Sequence, residues 1–153
     1  MAWSASKVFA ASLVQFFTRD ATALDWDTDT IKVALFDNSI TPDNTVSAAN
    51  SALGAGVWAS GQQTSSTDWP TGGVALASKT NAQSSNLVTL DAADTASGAA
   101  ATLTVYGGLV YDDTATSVAD QGLSYHYFGG VASVTSGTLT VVWHANGLIR
   151  HTT

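Results

Sequence analysis

Between residues 74 and 151, short segments in which apolar residues alternate with polar ones follow one another along the chain. The segments are VALASK (74–79), NLVTLDA (86–92), AATLTVYGGLVYDD (100–113), LSYHYFGG (123–130) and GTLTVVWHANGLIRH (137–151). A period of two places successive side chains on opposite faces of a strand. Turn-forming residues separate the segments about every ten residues, as in antiparallel sandwiches. The sequence therefore predicts a mainly β protein, an antiparallel β-sandwich of the jelly-roll or immunoglobulin-like kind.

Further strand and turn signals refine this prediction. IKVALFDN (31–38) alternates and is predicted to be a strand with one fully apolar face. TNAQSS (80–85) is entirely polar or small and is predicted to be the turn between two strands. Gly107-Gly108 predicts a bulge or bend inside a long strand.

One segment near the start has helical rather than strand periodicity. In SASKVFAASLVQFFTRD (4–20), Phe9, Leu13, Phe16 and Phe17 follow the i, i+4, i+7, i+8 spacing, and Val8 widens the apolar stripe. The spacing predicts an N-terminal α-helix over about residues 4–19. Because this stripe is so apolar, we expect it to be covered, either by the protein's own sheet or by a neighbouring subunit.

Residues 39–73 are predicted to form one long loop. Pro42, Pro70 and several glycines interrupt any regular element there, but Trp58 and Trp69 indicate that parts of the loop lie over the core. Loops of this length inside a compact domain are usually functional or make contacts. With no repeat and no linker signal, residues 1–153 are expected to form a single domain.

The charge balance narrows the classes of partner. Five Lys and Arg residues oppose twelve acids, all of them Asp, for a net charge of −7. Nucleic acid and anionic membrane surfaces are therefore not expected as partners. No apolar run is long enough for a membrane span, and the first residues carry no recognisable secretion signal. Charged residues make up only 11%, against about 25% in typical soluble domains, which favours a subunit of a large assembly or an extracellular β protein.

Three aspartates spaced two apart raise the question of a metal site. Asp25, Asp27 and Asp29 match the first ligand positions of a calcium loop. The match then fails, because Thr30 occupies the position that needs Gly and Phe36 the position that needs a bidentate Glu. We expect instead a turn in which the carboxylates accept hydrogen bonds from nearby backbone N–H groups, and no metal.

Two further groups of polar residues bear on catalysis. Paired carboxylates such as Asp112, Asp113 and Asp120 can hydrolyse glycosides, but they lie in a predicted turn and are expected to be solvated. The inventory of Ser, His and Asp allows a catalytic triad, yet no G-x-S-x-G elbow is present around any serine. Because the chain has no cysteine, no Glu and no phosphate-binding glycine loop, we do not expect it to be an enzyme or to hold a cofactor.

The aromatic residues offer two alternatives. Trp58 and Trp69 could stack on sugar rings, as in a carbohydrate-binding module, or cover the core or a subunit contact. The residues predicted to contact a partner are therefore Val8, Phe9, Leu13, Phe16, Phe17, Trp58 and Trp69.

Several phrases of the sequence, taken in order, point to one class of protein. They are DTIKVALFDNSITPD, GAGVW, DWPTGGVAL, VTLDAADTAS, GGLVYDDTATSVADQGLSYHYFGG and GTLTVVWHANGLIRHT, spanning residues 25 to 153. In these phrases the chain resembles small virion structural proteins of tailed phages, especially those that infect actinobacteria. The resemblance implies a capsid decoration (minor capsid) protein without catalytic residues, or alternatively a minor tail or fibre-associated component. It further implies binding to the major capsid protein and self-association around local symmetry axes of the head.

Overall fold

A six-stranded antiparallel sheet lies at the centre of the computed structural model, which describes residues 3–17, 24–114 and 117–152. Its strands are β1 (Lys7–Val8), β2 (Ile31–Phe36), β3 (Gln62–Gln63), β4 (Val74–Ala75), β8 (Ala101–Asp112) and β9 (Gln121–Gly137). They run in the order β1-β9-β8-β2-β3, and β4 shares the outer edge of β2 with β3. The long hairpin of β8 and β9 is the backbone of this sheet.

Two smaller antiparallel sheets accompany it. One joins β10 (Thr140–Val141) to β7 (Thr95–Ala96). The other has the order β11-β6-β5 and contains β5 (Thr80–Ser84), β6 (Leu87–Asp91) and β11 (Ile149–Thr152). The helices are short: α1 (Ala10–Phe17), α2 (Ala48–Ser51) and a 3₁₀ turn (Gly56–Ala59). No helix within the described residues has the length and apolarity needed to cross a bilayer.

Apolar side chains cover the central sheet on both faces. Because side chains of β2 alternate, Val33 and Leu35 join one core while Ala34 and Phe36 join the other. The first core also takes side chains from β10 and β11 and from the segments beside them; its large members are Trp26, Ile31, Trp69, Leu103, Leu123, Trp143 and Ile149. The second core is aromatic, with Trp3, Phe9, Phe36, Trp58, Tyr111 and Tyr125. The predicted mainly β, antiparallel sandwich with a short N-terminal helix is therefore confirmed.

The predicted start of the N-terminal helix is wrong. Lys7 and Val8 pair with Tyr125 and Ser124 of β9, and the Phe9 N–H donates to the Leu123 carbonyl at 2.9 Å. The sheet edge therefore holds the backbone of residues 7–9 extended, and α1 begins only at Ala10. The predicted end near residue 19 lies outside the described residues.

Three other segments differ from prediction. The region 39–73 contains α2, the 3₁₀ turn and β3, so it is not one irregular loop, although Trp58 and Trp69 do lie in the core as expected. The polar segment predicted as a turn is β5, which pairs with β6 along its whole length. The last predicted strand is divided into β10 and β11, but the turn between them lies at Asn146-Gly147, where this pair of residues predicts a tight turn.

The long hairpin bends where the glycine pair predicts it. The β8–β9 register shifts between Val105 and Gly107. A Cβ at Gly107 would lie 2.5 Å from both the His126 carbonyl oxygen and the Trp3 ring. Glycine is needed at this position because two chain segments pack against it more closely than any side chain allows.

Candidate functional site

The aspartates at 25–29 form a local turn. Asp25 Oδ1 accepts hydrogen bonds from the N–H groups of Asp27 and Thr28 at 3.0 and 3.2 Å. Asp29 Oδ2 accepts from the Asp25 N–H at 2.7 Å, which closes the turn from the other side. Hydrogen bonds from Thr28 lower the pKa of Asp25. The predicted turn is confirmed, and within the described residues no group of three acids or imidazoles has metal-site geometry.

The second acidic group is only partly solvated. Asp112 is fully buried, so the prediction that its carboxyl group is solvated is wrong. Its Oδ1 accepts hydrogen bonds from the N–H and the hydroxyl of Thr114. Its Oδ2 has no hydrogen-bond partner among the described residues. Burial raises the pKa of Asp112, and Asp29 adds to that rise. The exposed Asp113 pairs with Lys32 at 2.7 Å.

Asp113 and Asp120 line a surface depression of about 430 Å³. Burial raises the pKa of Asp120, and the neighbouring Asp113 carboxyl raises it further. The Asp113 carboxylate is also paired with Lys32 at 2.7 Å, on the same depression.

Three of the predicted contact residues lie in the core. Trp58 and Trp69 are 1% and 0% exposed, and Phe9 is fully buried. Trp58 packs edge-on against Trp3, Phe9 and Phe36, with ring centroids 5.0–6.1 Å apart. These three residues are therefore wrong as partner contacts, and neither tryptophan ring is available to stack on a sugar.

The remaining predicted contact residues are nearer the surface. Leu13 and Phe16 of α1 are half-buried, and Val14 between them is 66% exposed. We call these three residues the α1 face. The side chain of Phe17 lies outside the described part of the chain. Val8 is half-buried at the edge strand β1, where it lines a groove.

This groove, which we call the β9 groove, consists of two neighbouring depressions. Two adjoining hollows of about 450 and 340 Å³ share Tyr127, Phe128, Val141 and Val142, so they form one continuous trough. Strand β9 forms one wall, residues 139–150 form the other, and β1 lies at one end. Much of the lining is apolar, and Val142 is 70% exposed.

The electrostatics of the β9 groove differ from those of the rest of the chain. Lys7 and Arg150 line it together with His126 and His144, and none of its described lining residues is acidic. Neither cationic side chain forms an ion pair or hydrogen bond with a described residue. A chain of net charge −7 thus carries a groove in which every formally charged residue of the described lining is positive.

Inside this groove, one imidazole is held by neutral contacts. His126 Nε2 lies 2.9 Å from Ser124 Oγ, and its ring packs edge-on against Trp143 at 5.3 Å. Burial lowers the pKa of His126 to about 4, so the ring is neutral at pH 7. Ser124 is fully buried, which places its hydroxyl out of reach of a substrate.

No pattern in the sequence singles out Lys7 or Arg150. They are 143 positions apart in the chain, and only the pairing of β1 with β9 and the return of β11 bring them to one groove. The one signal in the sequence is that the chain has only five Lys and Arg residues. Two of these five lie on one surface without acidic residues, which only the structure shows.

Comparison with known proteins adds no relative: no protein-family model matches the chain, and neither the curated proteins nor the solved structures give a significant match.

Proposed function

We propose that this chain is a non-enzymatic structural protein of a tailed-phage virion, a capsid decoration protein that binds the outer face of the head shell. The observation that carries the proposal is the α1 face. Its apolar residues remain partly uncovered on a fold whose central sheet is already closed on both sides. The sequence resemblance to small virion proteins supplies the class of assembly.

The protein would act by burying apolar surface against the head shell, without any chemical step. Stable recognition between proteins covers about 800 Å² on each partner. The α1 face, with Val14 as its most exposed side chain, would form the apolar part of such a contact with the major capsid protein. Repeated over a shell, the contact would hold neighbouring capsid subunits together against internal pressure.

The proposal is tested on purified particles and on head shells that lack the chain. Mass spectrometry should find the chain in the particles, and immunogold label should lie on the head. Recombinant protein should cosediment with the depleted shells, and Val14→Glu should weaken that binding roughly tenfold, or about 1.4 kcal/mol. Thr135→Glu, an exposed position on β9, is the matched control and should bind normally.

Two outcomes would contradict this proposal. Particles without the chain would refute a virion role altogether. Label confined to the tail would replace head decoration with a minor tail or fibre-associated role.

A further inference from the structure

The β9 groove offers positive charge over an apolar lining. Lys7 and Arg150 are exposed, and the lining between them includes Phe128, Val142 and Ile149. A complementary surface would therefore carry exposed carboxylates on a rigid support. Such a surface exists on this same chain.

Five aspartates gather at the start of β2 and the end of β8, and we call them the acidic end: Asp25, Asp27, Asp29, Asp113 and Asp120. The Asp113 N–H donates to the Thr30 carbonyl at 2.9 Å, which joins the aspartate turn to the end of β8. Lys32 neutralises Asp113. The pKa of Asp25, which hydrogen bonds from Thr28 lower, is lowered further by the charge of Lys79, which donates to the Asp29 carbonyl. Asp25 and Asp27 are exposed, and neither forms an ion pair with a described residue.

Within one copy, the acidic end and the groove do not meet. Arg150 lies in β11 at one edge of the three-stranded sheet, whereas Asn81 of β5, at the other edge, donates to Asp27 Oδ2. Two strand spacings, about 10 Å, separate the backbones of these edges, and no ion pair joins Lys7 or Arg150 to the acidic end among the described residues. The complementary surfaces are therefore unpaired within one copy and can pair between molecules.

We infer that the β9 groove is a self-association surface that receives the acidic end of a second copy of this chain. The contact is heterologous, since two different surfaces meet, so successive copies form a ring where the rotation closes. The inference deepens the proposed function and rests on it for its biological setting, because self-association around local symmetry axes of the head needs a contact between copies.

Charge and apolar burial have separate roles in this contact. Exposed ion pairs contribute little free energy but set orientation and partner choice, and salt screens them. Covering Val142 and its apolar neighbours supplies the affinity. Association should therefore weaken with added salt and should also weaken in a variant that removes apolar surface alone.

Sedimentation velocity on the purified full chain tests the contact. The groove variant Lys7→Glu with Arg150→Glu, and the turn variant Asp25→Asn with Asp27→Lys, should each be monomeric. Asn at position 25 keeps the Oδ1 acceptor that the turn uses. Mixing the two variants should restore association, because each then meets a surface of opposite charge.

Two further variants separate the contact from general effects. Val142→Ser should raise the dissociation constant roughly tenfold without changing any charge. Ser133→Glu with Thr135→Glu adds negative charge at exposed β9 positions outside the groove and should associate like the unmodified chain. Three outcomes would overturn the inference. The unmodified chain could be monomeric, either charge variant could self-associate alone, or the mixture of the two variants could stay monomeric.

The outcome is independent of the virion experiment. Self-association as described, with no chain in purified particles, would refute the proposed function alone. A chain present on the head whose association ignores the groove variants would refute this inference alone.

Discussion

Gly73 and Gly129 have nearly the same positive φ, +79° and +83°, but different surroundings. A Cβ at Gly73 would lie 1.9 Å from the Val33 carbonyl oxygen, whereas a Cβ at Gly129 would meet nothing within 4 Å. The pair therefore separates backbone strain from steric exclusion.

We expect Gly129→Ala to lower the free energy of unfolding by about 1 kcal/mol, the cost of a left-handed residue with a side chain. Gly73→Ala should cost at least about 2 kcal/mol more, because β2 must move away from it. Denaturant unfolding of both variants measures the difference, and equal losses would show that the approach of Gly73 to β2 is not tight.

His126 should make stability depend on pH in the acid range. Burial lowers its pKa to about 4, against 6.5 for an ordinary His, so the unfolded chain binds more protons between these values. Its contribution is complete above about pH 6.5 and is lost as the pH falls through about 4. Between pH 7.5 and 5 the loss is on the order of 1–2 kcal/mol.

His126→Gln is the control, since Gln keeps a polar partner for Ser124 but does not titrate. Denaturant titrations at both pH values should show a smaller difference in the variant. The raised pKa values of Asp112 and Asp120 act in the opposite direction in both proteins, so they do not affect the comparison. An identical pH dependence in the two proteins would contradict the burial of this imidazole.

The ionised carboxyl group of Asp112 is expected to lower the free energy of unfolding. Burial raises its pKa, so its ionised form lowers stability as the pH rises above the unfolded value near 4. Asp112→Asn keeps the acceptor for Thr114 and removes the buried charge. It should raise the free energy of unfolding at pH 7.5 by about 1 kcal/mol and have little effect near pH 4. Destabilisation at pH 7.5 would show that the charge itself is needed.

At the scale of elements, the second face of the central sheet depends on one aromatic cluster. The 3₁₀ turn inserts Trp58 between Phe9 of the N-terminal segment and Phe36 of β2. Trp58→Ala should therefore lower the free energy of unfolding by about 3–5 kcal/mol. A change within about 0.5 kcal/mol would instead identify a surface ring, as sugar binding requires.

Elements could be predicted where the local pattern agrees with the tertiary contacts. β2 and β8 carry strong alternation and were recovered nearly to the residue, as was the bend at Gly107. Val8 and Phe9 continue the helical spacing of α1, yet pairing with β9, over 110 residues away, keeps them extended. β5 has no apolar face to signal a strand and exists because β6 pairs with it.

The candidate sites were harder to predict than the fold, because they depend on contacts between residues that are distant in the sequence. Trp58 and Trp69 were correctly placed over the core by their type, but only the packed structure shows that they are too deep for contact. The β9 groove combines residues from both ends of the sequence, so no local motif could indicate it.

At the scale of the whole molecule, charge and apolar surface are unevenly distributed. The acidic end, the acid-free β9 groove and the α1 face lie on a core that is otherwise closed. We propose that the β9 groove docks a second copy of the chain and that the α1 face docks the head shell.

The proposed decoration role is best tested by electron cryo-microscopy of the proposed phage particle, with and without this gene product. We expect density matching this fold at regularly repeated positions on the outer head shell, with α1 against the shell, and no such density in particles that lack the product. Density on the tail, or unchanged particles in the two preparations, would contradict it.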